Sequence, residues 1–457
     1  PAVNKYPADS LLRKGSIGLP EVTEPEVMRH FVNLSTMNHH LDKGFYPLGS
    51  CTMKYNPKVN DVTASMPGFT ELHPLMPDGL VQGALQVYFE LAEFLSEIAG
   101  MHSTTIQPAA GAHGEFTGLL VVREYLRAQR NIRKKVLIPD SAHGTNPASI
   151  VFAGWEPVGV PSDERGMVSP EVLKEYLDED VAMVMLTNPS TLGIFESNIK
   201  EIADLVHAVG AQLYMDGANM NALLGRVRPG DIGFDVMHYN LHKTFSTPHG
   251  GGGPGSGPVA VKEHLAPFLP TPVVSYDDEK FFLDFDRPQS IGKVQAFWGA
   301  FTVAVRAYTY IRQLGSDGLK RVSEGAVTNA NYLKHLMENT EYELKYDHTP
   351  MHEFVLSGAP FKKYGIHTSD IAKRILDYGF HAPTVYFPLI VSEALMIEPT
   401  ETESKETLEI FANTLKKIAQ EAKDTPDILH DAPVTTPVRR LDDVMAVKKP
   451  VLRWQDM

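Results

Sequence analysis

The sequence predicts an α/β fold in which a mainly parallel β-sheet is covered by helices on both faces. At 457 residues the chain is longer than one hydrophobic core usually organises, so we expect two domains. Short β-rich runs alternate with helical stretches through its middle, and the run at 181–186 (VAMVML) is apolar at every position. Strands that are apolar on both faces are typical of parallel sheets buried between two layers of helices.

The elements begin with an extended arm over residues 1–75. This segment shows little sustained hydrophobic periodicity, and prolines at positions 20, 25, 47, 57 and 67 interrupt it. From residue 79 to residue 99, apolar side chains recur at steps of three and four residues, which predicts an amphipathic helix. We therefore expect the arm to lie over a larger body that starts near this helix.

A large α/β domain is predicted over residues 76–315, a smaller α+β domain over 316–440, and a loosely held tail over 441–457. Five strands of the large domain are assigned to the runs at 135–139, 181–187, 211–216, 234–239 and 257–261, with a helix at 198–209. The small domain is assigned one strand at 353–358 and helices at 318–338, 368–379 and 403–422. Ligands bind such sheets outside the carboxyl ends of the strands, so functional residues are expected in the loops that follow them.

The composition excludes several classes of protein. Acidic residues outnumber basic ones by 56 to 42, and no basic run could neutralise a nucleic-acid backbone or an anionic membrane. The chain has one cysteine, Cys51, which cannot form an intrachain disulfide and fits a reducing compartment. Its apolar runs are too short to span a bilayer, and residues 1–20 lack the plan of a signal peptide. We expect a soluble cytoplasmic protein that binds neither nucleic acid nor membrane.

Asp216 and Lys243 are the strongest pair of candidate catalytic residues. Asp216 ends one predicted strand and Lys243 follows the next, so both should lie at the same edge of the sheet. An electron-sink cofactor such as pyridoxal 5'-phosphate (PLP) needs a lysine for covalent attachment and a carboxylate that keeps its pyridine nitrogen protonated. Taken separately, an Asp before a Gly is usually a turn residue, and a His-Lys pair in a loop is usually solvated. Their occurrence together favours the catalytic interpretation.

Three more loops are predicted to meet at this edge. Gly111 and Ala112 begin a helix whose amides and dipole can hold a phosphate, although glycine-rich helix starts are also common packing features. His143 follows the run at 135–139 and is a candidate to stack on a pyridine ring, or it is an ordinary hydrogen-bonded loop residue. Asn188 or Thr191 could reach a ring hydroxyl, unless the Asn-Pro sequence simply forms a turn. No metal site is predicted.

These loops resemble a known family. Their convergence is similar to that in the fold-type I PLP-dependent transferases, the aspartate aminotransferase-like enzymes, which implies a mainly parallel seven-stranded sheet. Within that group the chain resembles the P-protein family of the glycine cleavage system over most of residues 30–400. The segments that carry this resemblance are FYPLGSCTMKYNP at 45–57, QPAAGAHGE at 107–115, DSAHGTNPAS at 140–149, MDGANMNA at 215–222 and NLHKTFSTPHGGGGPGSGP at 240–258.

The resemblance implies roles for individual residues. Lys243 would form the Schiff base with PLP, Asp216 would pair with the pyridine nitrogen, and His143 would stack on the ring. The turn formed by Ala110, Gly111 and Ala112 would be part of the phosphate cup. The other residues implied as cofactor contacts are Asn188, Ala218, Asn240 and His242.

The arm motif PLGSCTMK is the segment most specific to this family. Our hypothesis is that it lines the substrate pocket, with Ser50, Thr52 or Lys54 available to the glycine carboxylate. The alternative is a tight turn that anchors the arm.

The resemblance also implies partners. Many P-proteins are single chains of about twice this length made of two related halves, whereas others divide the halves between two subunits, one of which has the lysine. This chain resembles the lysine-bearing subunit of the split form, glycine dehydrogenase (decarboxylating), which would assemble with a homologous subunit that lacks the lysine, as a heterodimer or a heterotetramer. The implied reaction decarboxylates glycine and passes the aminomethyl group to the lipoyl arm of the H-protein. The glycine run at 250–253 is interpreted as access for that arm or, equally, as a flexible loop.

Two other functions stay open on the residues themselves. One is another fold-type I enzyme for a small amino acid, such as a homodimeric decarboxylase or an aldolase-type transferase. The other is a non-catalytic regulatory or scaffolding half, which the presence of both Lys243 and Asp216 argues against.

Overall fold

The computed structural model describes residues 9–250 and 253–452, and a seven-stranded sheet lies at its centre. The spatial order of its strands is β1-β7-β6-β5-β4-β2-β3. Strand β7 is antiparallel to both neighbours, and the remaining pairs are parallel. The predicted mainly parallel sheet is thereby confirmed. Its strands are β1 (Ser103–Thr105), β2 (Lys135–Pro139), β3 (Glu156–Val160), β4 (Val181–Thr187), β5 (Gln212–Gly217), β6 (Val236–Tyr239) and β7 (Val259–Val261).

Strand β4 shows why the apolar run at 181–186 predicts a strand between two layers. Val184 and Leu186 pack into one hydrophobic cluster, whereas Met183 and Met185 pack into another on the opposite face. Burying both faces removes a large apolar area from water, which is the main favourable term in folding.

Helices cover both faces of the sheet. Five of them belong to the central part of the chain: α4 (Gln82–Ala99), α5 (Gly111–Ala128), α6 (Thr145–Phe152), α7 (Pro170–Tyr176) and α8 (Ile199–Ala208). The amphipathic helices expected at 79–99 and 198–209 correspond to α4 and α8. Leu91 and Leu95 of α4 are fully buried against the sheet.

The arm is more helical than its prolines indicate. It contains α1 (Glu24–Met37), α2 (Lys58–Ala64) and α3 (Pro67–Thr70). Three of the prolines stand at or next to helix starts: Pro25 in the first turn of α1, Pro57 at the N-cap of α2, and Pro67 as the first residue of α3. Proline is favoured there because its fixed φ suits the first turn and its missing N–H is not needed. The prediction of an extended arm was therefore wrong for these stretches.

A hairpin and a long helix connect the two parts of the chain. Strands β8 (Val273–Tyr276) and β9 (Phe281–Asp284) form the hairpin, which the sequence analysis did not identify. Helix α9 (Phe301–Met337) consists of two helical segments that meet at a kink at Gly315, whose φ is 61° and ψ is −174°. This left-handed conformation suits glycine, which has no Cβ to clash. The predicted helix at 318–338 corresponds to the segment after this kink, and the segment before it was not predicted.

The smaller sheet has the order β10-β12-β11 and is antiparallel throughout. Strand β10 matches the predicted run at 353–358, whereas β11 and β12 were missed. The strands of the smaller sheet are β10 (Phe354–Ser357), β11 (Thr384–Val385) and β12 (Ala394–Ile397). The helices of the same part of the chain are α10 (Thr368–Asp377), α11 (Lys405–Asp424) and α12 (Asp427–Asp431). Phe411 and Leu415 of α11 lie in the core between these elements.

The last described part of the chain ends in α13 (Asp443–Lys448), none of whose residues is buried within the described chain. Residues 453–457 of the predicted tail, like residues 1–8 of the predicted arm, lie outside the description. Across the two described ranges, every helix is too short or too polar to cross a membrane.

Candidate active site

A cavity of about 160 Å³ lies where the predicted loops converge, at the carboxyl ends of β4, β5 and β6 and the start of α5. The residues that line it and were predicted as cofactor contacts are Gly111, Ala112, His143, Asp216, Ala218, Asn240, His242 and Lys243. Polar residues that line it without having been predicted are Glu115, Thr145, Thr187, Asn219 and His238. One local arrangement of strand ends thus brings together residues that lie up to 132 positions apart in the sequence, from Gly111 to Lys243.

Lys243 is half-buried and reaches across to the arm. Its Nζ donates a hydrogen bond to the carbonyl oxygen of Ser50 at 2.6 Å. The backbone N–H of Lys243 bonds to the carbonyl of Asn240, so the lysine stands on a tight turn directly after β6. Because its backbone is held in this turn, Lys243 extends its primary amine into the cavity from a fixed position.

Asp216 is buried at the end of β5 and held on both carboxylate oxygens. Its Oδ1 accepts from the N–H of Ala218 at 3.0 Å and lies 3.3 Å from Nε2 of His238, and its Oδ2 accepts from Asn146 at 3.2 Å. Burial opposes the charge, but His238, Ala218 and Asn146 together hold the pKa of Asp216 below its ordinary value. The cavity therefore contains a fixed carboxylate.

His238 connects this carboxylate to the interior of the sheet. It lies beside Asp216 in the register of β5 and β6, and its Nδ1 is 2.9 Å from the hydroxyl of Tyr214. Burial lowers the pKa of His238, which favours a neutral ring that can bond to both neighbours. The sequence carries a signal for it in retrospect, because His238 is a polar residue within an otherwise apolar strand.

Glu115 is a second buried carboxyl group in the cavity wall. Burial, together with the charge of Asp216, raises the pKa of Glu115 to about 8. Its Oε2 has no hydrogen-bond partner among the residues the structure describes. At neutral pH Glu115 is therefore mainly a neutral acid beside an ionised Asp216. It stands in the quoted segment QPAAGAHGE, but the residue type gave no reason to select it.

The start of α5 is shaped as a cradle for a small anion. A Cβ on Gly111 would lie 2.2 Å from Oδ1 of Asn240, and one on Gly257 would lie 2.1 Å from the carbonyl of Ala110. The first N–H groups of a helix lack intrahelical partners and carry its positive dipole end. Two buried oxygens nearby, Oδ1 of Asn240 and Oγ1 of Thr187, also lack partners within the described chain. These features fit a phosphorylated cofactor.

Besides His238, the histidines His143 and His242 line the cavity, and His249 lies next to His242. Burial lowers the pKa of His143, which contacts Oγ1 of Thr145 at 2.9 Å. Burial likewise lowers the pKa of His242 to about 3 and that of His249 to about 4, and their rings are 5.5 Å apart. Residues 251 and 252 of the adjoining glycine run lie outside the described residues, so the interpretation of that run stays a prediction.

Some predicted residues lie elsewhere. Asn188 is buried outside the cavity wall, where its Oδ1 accepts from the N–H of Glu196 at 3.0 Å. Of the two candidates in this loop, Thr191 lines the cavity, and its hydroxyl donates to the carbonyl of Ser141. Ala110 precedes α5 as its N-cap and does not line the cavity.

The arm motif meets the cavity at one residue. Ser50 lines the wall, whereas Thr52 and Lys54 are buried away from it. Nζ of Lys54 pairs with Oε1 of Glu401 at 2.7 Å and donates to the hydroxyl of Tyr310 at 2.8 Å. The expectation that Lys54 is available to a substrate carboxylate was wrong, because its charge is already compensated inside the protein.

Comparison with known proteins agrees with this geometry. The family described as "Glycine cleavage system P-protein" matches residues 4–377, and "Glycine dehydrogenase, C-terminal domain" matches residues 322–434. A "Probable glycine dehydrogenase (decarboxylating) subunit 2" from Caldanaerobacter subterraneus subsp. tengcongensis is 59% identical over 445 residues, covering 97% of this chain and 92% of that protein. A protein of the same name from Chlorobaculum tepidum is 60% identical over 458 residues, covering 98% and 94%.

Solved structures support the fold. The crystal structure of a glycine decarboxylase (P-protein) in inhibitor-bound form superimposes with a TM-score of 0.76 at 24% identity, over 90% of this chain and 93% of that one. Glutamate decarboxylase from Lactobacillus brevis gives a TM-score of 0.68 at 13% identity, over 90% and 96%. The fold is that of the fold-type I PLP enzymes. Taken with the matches over nearly the whole length, these findings show that the chain belongs to the P-protein family of the glycine cleavage system.

Proposed function

We propose that this chain is the lysine-bearing catalytic subunit of a split glycine dehydrogenase (decarboxylating). In this function PLP occupies the cavity at the carboxyl edge of the sheet, glycine loses carbon dioxide there, and the aminomethyl group passes to the lipoyl arm of the H-protein. The observation that carries the proposal is the position of the amine of Lys243 and the buried carboxylate of Asp216 in one cavity, beside a helix start shaped for an anion.

The residues around the cavity divide the work of holding the cofactor. Lys243 would attach it covalently, and Asp216 would keep its pyridine nitrogen protonated. The start of α5, with Asn240 and His242 nearby, would hold the phosphate, and His143 would lie against the ring. PLP supplies, when bound, an electron sink for negative charge at the α-carbon of glycine.

The protein contributes fixed charge and geometry. The amide of Asn146, the N–H of Ala218 and the ring of His238 hold the carboxylate of Asp216 in place, so its charge needs no reorganisation during the reaction. The carbonyl of Ser50 orients the amine of Lys243. The neutral ring of His143 can lie against an aromatic face without adding a positive charge that would compete with the protonated pyridine nitrogen.

Two partners belong to the proposal. One is a homologous subunit without the lysine, as a heterodimer or a heterotetramer, and the other is the lipoylated H-protein. The name "subunit 2" of the relatives supports the first. Helix α1 supports it as well: within the described chain none of its side chains is buried, and Phe31 and Val32 are more than half exposed. A helix that exposes apolar side chains in this way is typical of a surface that another protein covers.

The test is exchange of labelled bicarbonate into the carboxyl group of glycine. The chain is expressed by itself and together with the lysine-lacking subunit, and lipoylated H-protein is supplied to both. We expect exchange from the pair and little or none from this chain without its partner. Full exchange from the single chain would refute the split-subunit proposal and favour a homodimeric enzyme. No exchange from either, despite bound PLP, would refute the proposed reaction.

A further inference from the structure

The loop at residues 48–54 connects the smaller sheet to the catalytic lysine. It runs along β12: Leu48 forms a bridge with Ile397, and the N–H of Gly49 donates to the carbonyl of Met396 at 3.2 Å. A Cβ on Gly49 would lie 2.3 Å from Cγ of Met396, so the loop is pressed against the strand. Its far side faces the cavity through Ser50.

Two buried glutamates hold the backbone of this loop. Oε2 of Glu353, next to β10, accepts from the N–H of Ser50 at 2.6 Å. Oε2 of Glu398, next to β12, accepts from the N–H of Thr52 at 3.0 Å. Both glutamates are fully buried. A buried carboxylate is costly unless it is compensated, so side chains that sit there and bond to loop amides have a specific structural task.

The second carboxylate oxygens of the two glutamates have different neighbours. Oε1 of Glu398 accepts from Asn221 at 3.1 Å, and Oε1 of Glu353 lies 3.3 Å from Nε2 of His352. His352 is itself fully buried. Burial disfavours its charge, yet Glu353 and Glu398 raise the pKa of His352 above its ordinary value, and burial raises the pKa of Glu398. Asn221 thus ties the carboxyl group of Glu398 to the larger part of the chain, and His352 lies beside that of Glu353.

The loop adopts a conformation that it would not choose by itself. Ser50 and Thr52 have φ values of 65° and 45°, in the left-handed region that non-glycine residues rarely occupy. Such residues cost free energy and persist only when their surroundings fix them. These two strained residues are the ones whose N–H groups donate hydrogen bonds to Glu353 and Glu398. The carbonyl of Ser50, whose N–H Glu353 holds, receives the hydrogen bond from Lys243 at 2.6 Å.

We propose that Glu353 and Glu398 are positioning residues, which fix the 48–54 loop so that the carbonyl of Ser50 orients the amine of Lys243. The proposal rests on the catalytic role of Lys243 proposed above. It deepens that role by making the position of the lysine depend on the smaller sheet. It also gives the arm motif a task that does not involve binding of the substrate carboxylate by Lys54.

Cys51 makes the loop position measurable. It is the one cysteine of the chain, and it lies half-buried between Ser50 and Thr52. Its rate of alkylation by N-ethylmaleimide, followed by mass spectrometry of the Cys51 peptide in the PLP-loaded complex, reports how firmly the loop is held. This readout requires no turnover, so it is independent of whether the proposed reaction is correct.

Two kinds of variant separate the effect of side-chain length at Glu353 and Glu398 from the effect of their charge. E353D and E398D keep the negative charge but shorten the side chain, whereas E353Q and E398Q keep the reach but lose the charge. A net hydrogen bond to a charged group corresponds to roughly a 10- to 100-fold change in an equilibrium. We expect Cys51 to react at least about tenfold faster in the Asp variants, with a smaller increase in the Gln variants. Bicarbonate exchange should fall in the same order, while PLP remains attached to Lys243.

The matched control is E393D. Glu393 also lies in the smaller domain, is 8% exposed, and accepts a backbone N–H, that of Thr368 at 2.9 Å, without touching the loop. Its variant should leave Cys51 reactivity and exchange at wild-type values. Wild-type Cys51 reactivity in both Asp variants would overturn the proposal. So would the reverse order, with fast alkylation in the Gln variants and wild-type rates in the Asp variants, because it would show that charge rather than position matters. Failure of borohydride to fix PLP on wild-type Lys243 would instead refute the proposed function.

Discussion

At the scale of single residues, Lys243 is the group on which the proposed chemistry depends most directly. Its structural contribution is one hydrogen bond to the carbonyl of Ser50, so Lys243→Ala should fold normally and yet lose borohydride-reducible attachment of PLP. The measurement is reduction followed by mapping of the labelled peptide. Lys262→Ala is the control, because Nζ of Lys262 makes a similar bond to the carbonyl of Gly100 away from the cavity. Wild-type labelling in Lys243→Ala would place the attachment on another lysine.

Asp216 is expected to matter more for rate than for binding. Its carboxylate is buried and fixed by Ala218, Asn146 and His238, so its charge acts at full strength when negative charge develops on the substrate. Asp216→Ala should lose roughly 100-fold or more in kcat, with weaker PLP binding. Steady-state kinetics and PLP titration measure the two effects. Near-normal turnover would show that another residue pairs with the pyridine nitrogen.

Glu115 should make the stability of the PLP-free protein depend on pH. Its pKa is about 8 in the folded chain and near 4.5 when unfolded, so the folded state retains a proton that the unfolded state releases. The contribution of Glu115 to the free energy of unfolding is therefore fully present below the pKa it has in the unfolded chain. That contribution is lost as the pH rises through the pKa it has in the folded chain. The Glu115→Gln variant has no titrating group at this position. Its melting temperature should therefore decline less than that of the wild type between about pH 5 and about pH 8. Parallel melting curves for the two proteins would contradict the assignment.

At the scale of elements, the start of α5 depends on glycine for its shape. In Gly111→Ala the added methyl would meet Asn240 at 2.2 Å and displace it, so the variant should bind PLP and inorganic phosphate more weakly. Gly83→Ala is the matched control, since Gly83 also lies in the first turn of a helix but has open space around it. Equilibrium titration of both variants measures the effect. Equal phosphate affinity in Gly111→Ala and wild type would place the phosphate elsewhere.

At the scale of the whole molecule, a substitution on helix α1 should affect assembly with the partner subunit without affecting folding. Because none of its side chains is buried within the described chain, Phe31→Asp should leave the melting temperature of the isolated chain unchanged. The same change should weaken association with the lysine-lacking subunit, measured by analytical ultracentrifugation. Asn33→Asp introduces the same charge two residues away and serves as the control. Unchanged association in Phe31→Asp would exclude this face of α1 from the subunit interface.

The sequence by itself determined the layered α/β architecture and the location of the site. Both are local properties: the apolar run of β4 requires two covered faces, and the ends of successive parallel strands bring Asp216 and Lys243 to one edge. Tertiary structure decided which polar residues act together. Glu353 meets Ser50 across 303 positions of sequence, and Glu401 compensates Lys54 across 347. Periodicity and turn chemistry extend over a few residues, whereas the choice of partner for a buried charge depends on packing between distant segments, and that is fixed only when the whole chain has folded.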